Sequence, residues 1–318
     1  MKLIDHIGHY VGYCKEYGFM CSLAVTLSNI FPYSKGKGIS WRFLQYKHKV
    51  LLKYLSKYYY NASKDIATPS VTETSYKDCI WTAWLQGEEN APEVIQLTLK
   101  SIRKNANGHQ VIVLTNDNIN SYIEIPRAIK EKHNAGSMGH AHFSDVVRMM
   151  ILAKYGGLWL DATMFLNRAV DPHAFLLPFY SIGYNNMEPS RFVSNNKWVV
   201  GVMGGKQNSE YLIRISEMLN EYWTQHTTII DYFVFDYLIA VMYQKDPIFA
   251  GIVNDLPQMD THTTSLKKII NSKYKDNEIK ELFDKGSYFY LSYKYDYKKG
   301  LPDDQETVYG HLWRSLMI

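Results

Sequence analysis

The chain has 318 residues, of which 46% are hydrophobic and 21% are charged, and its formal net charge at pH 7 is +4. This composition is that of a globular protein and excludes an intrinsically disordered chain. The basic excess lies in residues 1–65, which contain ten Lys or Arg and three Asp or Glu, whereas the remainder contains 25 and 28. Because no recognised nucleic-acid-binding motif accompanies this local charge, we predict that nucleic acid is not a partner.

The N-terminus and the cysteines both indicate a cytoplasmic location. Cys14, Cys21 and Cys79 show no metal-site spacing and are odd in number, which favours a reducing compartment. The start of the chain lacks the basic region and compact apolar core of a signal peptide. Residues 17–34 are uncharged but too polar for a membrane-spanning helix. We therefore expect a cytoplasmic protein, either free or peripheral on the inner face of the membrane.

The first 75 residues are predicted to be a basic helical segment that ends in a linker. Residues 41–60 (WRFLQYKHKVLLKYLSKYYY) interleave lysines with apolar and aromatic residues at helical spacing. This helix either lies on an anionic membrane surface or packs on the following domain with its lysines in solvent. Residues 61–75 are polar, so we place a domain boundary there, between segment 1–75 and a domain of residues 76–318.

From residue 78 the pattern predicts a parallel α/β sheet. Residues 79–85 and 109–114 are predicted strands, and residues 92–105 form a predicted helix between them. In open α/β sheets, ligands bind beyond the carboxyl ends of the strands. Trp84 and Asn116 lie near the carboxyl ends of the two strands, so we expect both residues near a binding site.

Residues 140–168 (HAHFSDVVRMMILAKYGGLWLDATMFLNR) predict a helix, a tight turn and a strand that ends at an acidic residue. Ser144 is expected to cap the helix, with Asp145 in the first turn, where the helix dipole favours negative charge. Gly156-Gly157 ends the helix, because glycine readily adopts a left-handed backbone. Asp161 interrupts an apolar run, and a carboxylate there must be paired, bound to a metal, or at a strand end.

This segment resembles the sugar-binding segment of a glycosyltransferase group. The residues that carry the resemblance are, in order, Ser144-Asp145, Arg148, Gly156-Gly157 and Asp161-Ala162-Thr163. The group comprises the DXD-containing enzymes of the capsular polysaccharide synthesis type, similar to glycosyltransferase family 32 and related to yeast initiating mannosyltransferases and clostridial glucosylating toxins. The resemblance covers residues 78–316. It implies an α/β fold of the GT-A type, a Rossmann-like mixed sheet flanked by helices, behind the helical N-terminal segment. It also implies transfer with retention of configuration.

The resemblance assigns donor-binding roles to residues near the strand ends. Trp84 would stack on the nucleotide base, although a core tryptophan is the alternative. Asn116 is a further predicted donor contact from its position near a strand end and not from the resemblance. Asp145 would accept hydrogen bonds from ribose or sugar hydroxyls, and Arg148 would reach the sugar or the diphosphate. The alternative for this pair, three residues apart on one helical face, is a structural ion pair.

A divalent cation, Mn²⁺ or Mg²⁺, is the expected cofactor, because the leaving diphosphate develops negative charge. The resemblance makes Asp161 its ligand. Thr163 stands where a second Asp is usual, and a hydroxyl is a much poorer ligand. His311 is a candidate further ligand from near the C-terminus, with an ordinary terminal-helix histidine as the alternative. The predicted metal set is therefore Asp161, Thr163 and His311, and a UDP-sugar is the favoured donor.

Asp236 is the second candidate catalytic residue beside Asp161. The stretch from Asp231 to Asp236 (DYFVFD) follows a Tyr-Trp helix, as it does in the capsular family. Asp236 lies among apolar residues, where an unused carboxylate would be costly. It would orient the acceptor or stabilise an oxocarbenium-like transition state. A helix cap or a buried ion pair is the alternative.

We predict a glycosyltransferase, a hexosyltransferase, that moves a sugar from a nucleotide-diphosphate-sugar to a glycan or lipid-linked glycan acceptor. The predicted setting is the synthesis of bacterial surface polysaccharide. The lysine- and tyrosine-rich residues 265–300 would contact an anionic acceptor, or would form a solvated face. The alternative function is a non-catalytic carbohydrate- or membrane-surface-binding protein that keeps the GT-A fold. The intact Asp145, Arg148 and Asp161 favour the enzyme.

Overall fold

The computed structural model describes residues 2–31, 37–60, 76–185, 188–302 and 304–317, with the backbone alone for residues 2–11. The predicted linker, residues 61–75, lies outside them. The strands are β1 (Ile80–Ala83), β2 (Val111–Leu114), β3 (Gly157–Leu160), β4 (Met164–Leu166), β5 (Gly183–Tyr184), β6 (Val202–Gly205), β7 (Gln258–Met259) and β8 (Tyr288–Tyr290). The helices are α1 (Lys2–Ile30), α2 (Gly38–Leu55), α3 (Glu93–Lys104), α4 (Arg127–Asn134), α5 (His140–Tyr155), α6 (Glu210–Gln225), α7 (Val234–Lys245), α8 (Pro247–Asn254), α9 (Ser265–Ile269), α10 (Asp276–Lys285) and α11 (Val308–Met317).

The central sheet has the strand order β2–β1–β3–β6 among the residues described. β1 pairs in parallel with β2 and β3, whereas β6 runs antiparallel to β3. The helix α3 connects β1 to β2, as the strand–helix–strand pattern predicted. This mixed sheet flanked by helices confirms the predicted α/β class, and it directs the carboxyl ends of β1 and β3 to the same edge.

The sheet separates two hydrophobic clusters. Because successive strand residues point to opposite faces, Trp81 and Trp159 pack on the side of α5, α6 and α7. Ile80 and Leu158 pack on the other side, with α3, β4 and β8. All four side chains are almost completely buried, and each is worth about 1.5–3 kcal/mol relative to an exposed position. The sheet edge that carries Asp161 is therefore supported rigidly from both faces.

The basic helix α2 packs its apolar face inward, against α1 and α7. Its buried residues are Leu44, His48, Leu51, Leu52 and Leu55. Lys49, Lys53 and Lys57 are exposed on the opposite side. The structure thus agrees with the packed interpretation of this helix. In the part of the chain described, no helix combines the length and apolar character needed to cross a bilayer.

The helix α5 begins one turn earlier than predicted. Gly139 is its N-cap residue, so Ser144 lies inside the helix and the predicted Ser144 cap is wrong. The periodic apolar stripe identified the helix, but it does not mark the first turn, where His140 and Ala141 are exposed. As predicted, the helix ends at Gly156 and Gly157, with φ of 68° and 93°. A Cβ atom on Gly157 would lie 2.3 Å from the Cys79 carbonyl oxygen, so β3 could not pack this closely against the neighbouring chain.

The strands β4 and β8 form a separate antiparallel pair that brings the C-terminal region to the sheet edge. Met164 pairs with Tyr290, directly after the Asp161-Ala162-Thr163 turn. The Leu291 amide donates a hydrogen bond of 2.8 Å to the Thr163 carbonyl oxygen. The chain after β8 is therefore fixed beside the turn that carries the motif.

Candidate active site

A cavity of about 750 Å³ opens at the carboxyl ends of β1 and β3. Six of the eight predicted site residues line it, although they come from four separate stretches of the chain. These residues are Trp84, Asp145, Arg148, Asp161, Thr163 and Asp236. The position agrees with the rule that ligands of open α/β sheets bind beyond the strand ends.

Arg148 is the buried cation beneath the cavity floor, with 3% of its surface exposed. Its Nη2 atom donates to Asp161 Oδ1 at 2.6 Å, and its Nη1 atom donates to the Val200 carbonyl oxygen at 2.7 Å. Nη1 also lies 3.4 Å from Asp145 Oδ1. Both terminal nitrogens are therefore engaged within the protein. This arrangement makes Arg148 a positioning group for two carboxylates.

Asp161 follows β3 and is held firmly in place. Its amide donates to the Gly201 carbonyl oxygen at 2.9 Å, and Trp159 Nε1 donates to the same Oδ1 atom as Arg148, at 2.9 Å. The other carboxylate oxygen, Oδ2, has no hydrogen-bond partner within the described parts of the chain. The side chain is 31% exposed, so Oδ2 can accept a hydrogen bond from a ligand hydroxyl.

Asp236 lies in the first turn of α7, and its half-buried carboxyl group borders the cavity. Burial raises the pKa of Asp236 to about 7, and the negative charge of Asp145 adds to this effect. A hydrogen bond of 3.0 Å from Trp198 Nε1 and the charge of Arg148 oppose it. The carboxyl group therefore changes its charge near neutral pH, as expected of a group with a catalytic role.

Asp231, the other acidic residue of this stretch, has a structural role. Its Oδ1 atom accepts a hydrogen bond from the Phe233 amide at 2.9 Å, and its Oδ2 atom pairs with Lys47 Nζ at 2.9 Å. This pair links α2 to the start of α7. Both oxygens of Asp231 are thus occupied, whereas Asp236 faces the cavity.

The segment after β8 forms a cavity wall beside the motif turn, and the predicted site did not include its residues. Tyr293 packs edge-on against Trp84, with ring centroids 5.4 Å apart. Ser292 and Lys294 also line the cavity. The lysine and tyrosine content of residues 265–300 indicated a contact with an anionic ligand, but it gave no position relative to Asp161. His140 and His142 line the cavity too, on the side of α5.

The structure does not bring Asn116 or His311 to the cavity wall. Asn116 is exposed after β2, although its amide donates to the carbonyl oxygen of Leu85, which lines the cavity. His311 lies in α11, where its ring stacks on Tyr274 at 3.6 Å between centroids. The Nδ1 atom of His311 is 3.4 Å from Glu306. These contacts match the alternative interpretation, an ordinary histidine of the terminal helix.

The cavity residues fit a resident divalent cation poorly. Such a cation prefers several carboxylate or carbonyl oxygens, but one oxygen of Asp161 is committed to Arg148 and Trp159. Thr163 offers only a hydroxyl, and His311 is elsewhere. Within the described residues, no group of three or more His, Cys, Asp or Glu is arranged to hold a metal ion. The predicted set of Asp161, Thr163 and His311 is thus not assembled.

Residues 32–312 match the model of a family described as capsular polysaccharide synthesis protein. The match begins before α2, in a segment that the motif resemblance left uncovered. The chain is 33% identical over 113 residues to inositol phosphoceramide mannosyltransferase 3 of Schizosaccharomyces pombe. It is 24% identical over 169 residues to O-glycosyltransferase braB of Annulohypoxylon truncatum.

These alignments cover only part of each relative. They span 35% of this chain and 26% of the mannosyltransferase, and 47% of this chain and 38% of the O-glycosyltransferase. Among solved structures, the PaToxG glycosyltransferase is 12% identical with a TM-score of 0.39, over 65% of this chain and 83% of that chain.

Proposed function

The chain belongs to the capsular polysaccharide synthesis protein family, and we propose that it is a glycosyltransferase of the GT-A type. The proposed reaction moves a sugar from a nucleotide-diphosphate-sugar to a glycan or lipid-linked glycan. The proposal rests mainly on the geometry of Asp161. Arg148 and Trp159 hold its Oδ1 atom, while its Oδ2 atom has no partner among the described residues and borders the cavity. A carboxylate fixed in this way can orient a sugar without having to reorganise.

In the proposed reaction, the bond between the anomeric carbon of the sugar and the diphosphate oxygen breaks. Its electron pair leaves with the diphosphate, and an acceptor hydroxyl oxygen forms the new bond to the anomeric carbon. The hydroxyl proton passes to the departing phosphate oxygen. Asp161 and Asp145 accept hydrogen bonds from the sugar hydroxyls, while Trp84 and Tyr293 contact the base. No step is assigned to a divalent cation, because the cavity residues fit one poorly.

Asp236 is proposed to stabilise positive charge that develops on the sugar, so it must be ionised. Since its pKa is about 7, we expect donor turnover to rise with pH and to reach half its maximum near pH 7. Asp236→Asn should lower turnover at least a hundredfold at pH 8 and flatten this profile. The measurement is the initial rate of nucleotide release between pH 5 and pH 9. A wild-type profile with no inflection between pH 6 and pH 8 would contradict this role.

The same carboxyl group should make protein stability depend on pH. Its pKa in the folded protein is raised above the ordinary 3.8, so the folded state binds the proton more tightly than the unfolded state. The contribution of Asp236 to the free energy of unfolding is therefore largest below about pH 4, decreases between about pH 4 and pH 7, and stays constant above pH 7. The full difference corresponds to about 4 kcal/mol. Water reaches part of this half-buried side chain, so we expect a smaller effect. Between pH 5 and pH 8 the free energy of unfolding of the wild type should fall by about 2 kcal/mol relative to that of Asp236→Asn.

The binding experiment for this function is thermal stability against a panel of UDP-, GDP- and CMP-sugars. A ligand at about 100 times its dissociation constant adds about 2.7 kcal/mol, which is readily detected. We expect one nucleotide family, with UDP favoured, to stabilise the wild type. Stabilisation without any turnover would favour the non-catalytic carbohydrate-binding alternative.

We also propose that the enzyme acts at the cytoplasmic face of a bacterial membrane, on a lipid-linked saccharide used for surface polysaccharide. Support comes from the exposed Lys49 and Lys53 of α2 and from Lys57 just after it, which recur every fourth residue. With Lys245 they border a cavity of about 770 Å³. Because the apolar face of α2 is packed inward, membrane contact would be electrostatic, at about 1 kcal/mol per lysine.

Vesicle sedimentation tests this contact. Lys49→Ala combined with Lys53→Ala should weaken binding to vesicles that contain anionic lipid by tenfold or more. The matched control combines Lys100→Ala with Lys104→Ala, which removes two exposed lysines of the same spacing from α3 and should change binding less than twofold. Equal losses of vesicle binding in the two double variants would mean that binding depends on net charge alone and not on the α2 surface, which would contradict the proposal. Binding that both pairs leave unchanged would contradict the proposed surface.

A further inference from the structure

The charge balance of the cavity is unfavourable for a diphosphate unless another cation contributes. Three carboxylates line the cavity, Asp145, Asp161 and Asp236, and Arg148 is already engaged by two of them. Among the described residues that line the cavity, Lys294 is the other side chain with a permanent positive charge. A donor diphosphate would add further negative charge to this site.

We propose that Lys294 binds the donor diphosphate and stabilises the leaving group, in the place that a divalent cation occupies in DXD-containing enzymes. This inference rests on the proposed function. Lys294 is exposed, and within the described parts of the chain no carboxylate lies within ion-pair distance of its Nζ atom. By contrast, Lys299 pairs with Glu93, and Lys285 pairs with Glu281. The ammonium group of Lys294 is thus available to an anionic ligand.

The loop that carries Lys294 contacts both the proposed base-binding residue and the turn next to the proposed sugar-binding carboxylate. At one end, Tyr293 contacts Trp84, the proposed base-binding residue. At the other end, the Leu291 amide is bonded to the Thr163 carbonyl oxygen, next to the proposed sugar-binding carboxylate. In a nucleotide-sugar the diphosphate lies between the base and the sugar. Lys294 extends from the loop that contacts both of these places.

The chemistry needs no further reactant. When the bond from the anomeric carbon breaks, its electron pair becomes negative charge on the diphosphate oxygens. An ammonium group stabilises that charge by hydrogen bonds and Coulomb attraction, and it stays protonated throughout. In this reaction Thr163 does not have to act as a metal ligand.

The test compares nucleoside diphosphates with monophosphates by calorimetric titration of the whole protein in EDTA, using UDP and UMP, and GDP and GMP. We expect the wild type to bind one diphosphate at least tenfold more tightly than its monophosphate in EDTA. Lys294→Ala should remove this difference, and Lys294→Arg should retain most of it. Lys298→Ala is the matched control, because Lys298 is an exposed lysine of the same segment outside the cavity lining, and it should behave as the wild type.

A gain-of-function variant gives an independent test. Thr163→Asp adds a second carboxylate to the motif, so diphosphate binding in this variant should become stronger with Mn²⁺ than in EDTA. If wild-type binding disappears in EDTA, returns with Mn²⁺ and is unchanged by Lys294→Ala, this inference is overturned while the proposed function stands. If no nucleotide binds the wild type with or without metal, the proposed function fails and this inference fails with it.

Discussion

Asp161→Asn is expected to lower sugar transfer and donor hydrolysis by about a thousandfold while leaving the protein folded. Asparagine can keep an oxygen acceptor for Arg148 Nη2 and Trp159 Nε1, so the local geometry can persist. The substitution removes the negative charge. It also replaces Oδ2, the oxygen that borders the cavity, with an amide nitrogen that cannot accept a hydrogen bond. Removal of one fixed electrostatic group from an active site typically costs about 10²–10³ in rate, and Asp161 would also orient the sugar.

The choice of asparagine follows from the buried partner. Asp161→Ala would leave Arg148 Nη2 and Trp159 Nε1 without their shared hydrogen-bond acceptor, and a loss of stability would obscure the loss of activity. Asp255→Asn is a suitable control, because Asp255 is an exposed aspartate after α8, outside the cavity lining. The control should keep wild-type activity. An Asp161→Asn variant with more than a tenth of wild-type activity would contradict the assigned site.

Arg148→Met is expected to destabilise the protein by about 3 kcal/mol, the lower end of the usual cost of breaking a buried ion pair, because Asp145 and Asp161 are only partly buried. The methionine can occupy much of the space between Trp159 and Phe235, whose ring centroids lie 5.3 and 5.5 Å from the guanidinium carbon. The loss should therefore come mainly from charge. Asp161→Asn in the same chain should recover part of the loss, with a coupling energy of about 1–3 kcal/mol.

Urea unfolding of the two single variants, the double variant and the wild type measures this coupling. The exposed pair Arg103 and Glu88 serves as the comparison, at 2.6 Å with side chains 45% and 39% exposed. Its coupling should be only about 0.2–1 kcal/mol, because exposed pairs are screened by solvent. If the Arg148–Asp161 coupling is no larger, then Arg148 does not hold Asp161 in the way proposed.

The motif residues could be predicted from the sequence because they are close together in it. Asp145, Arg148 and Asp161 belong to one helix, turn and strand, and the family resemblance placed all three at the donor site. It assigned Arg148 to the sugar or the diphosphate and gave no contact between Arg148 and Asp161, which the structure adds. Asp236 was singled out because an acidic residue among apolar ones needs a reason to be there. Neither prediction required knowledge of distant contacts.

The cavity wall formed by the segment after β8 could not be predicted in the same way. Lys294 reaches the site because β8 pairs with β4, and that pairing joins residues far apart in sequence with no local signal of register. His311 was proposed as a ligand because enzymes of the resembled fold take one from near the C-terminus, but stacking on Tyr274 gives it another environment. For α2, the amphipathic pattern predicted a buried apolar face without indicating whether protein or membrane covers it.

The most direct test of the proposed function is nucleotide release from a panel of nucleotide-sugars by the wild type, with Asp161→Asn as the comparison. Water can replace the acceptor at a low rate, so the measurement does not require a known acceptor. The structure predicts release from one nucleotide-sugar family and about a thousandfold less release from Asp161→Asn. No release and no binding with any donor would contradict the assignment of this cavity to sugar transfer.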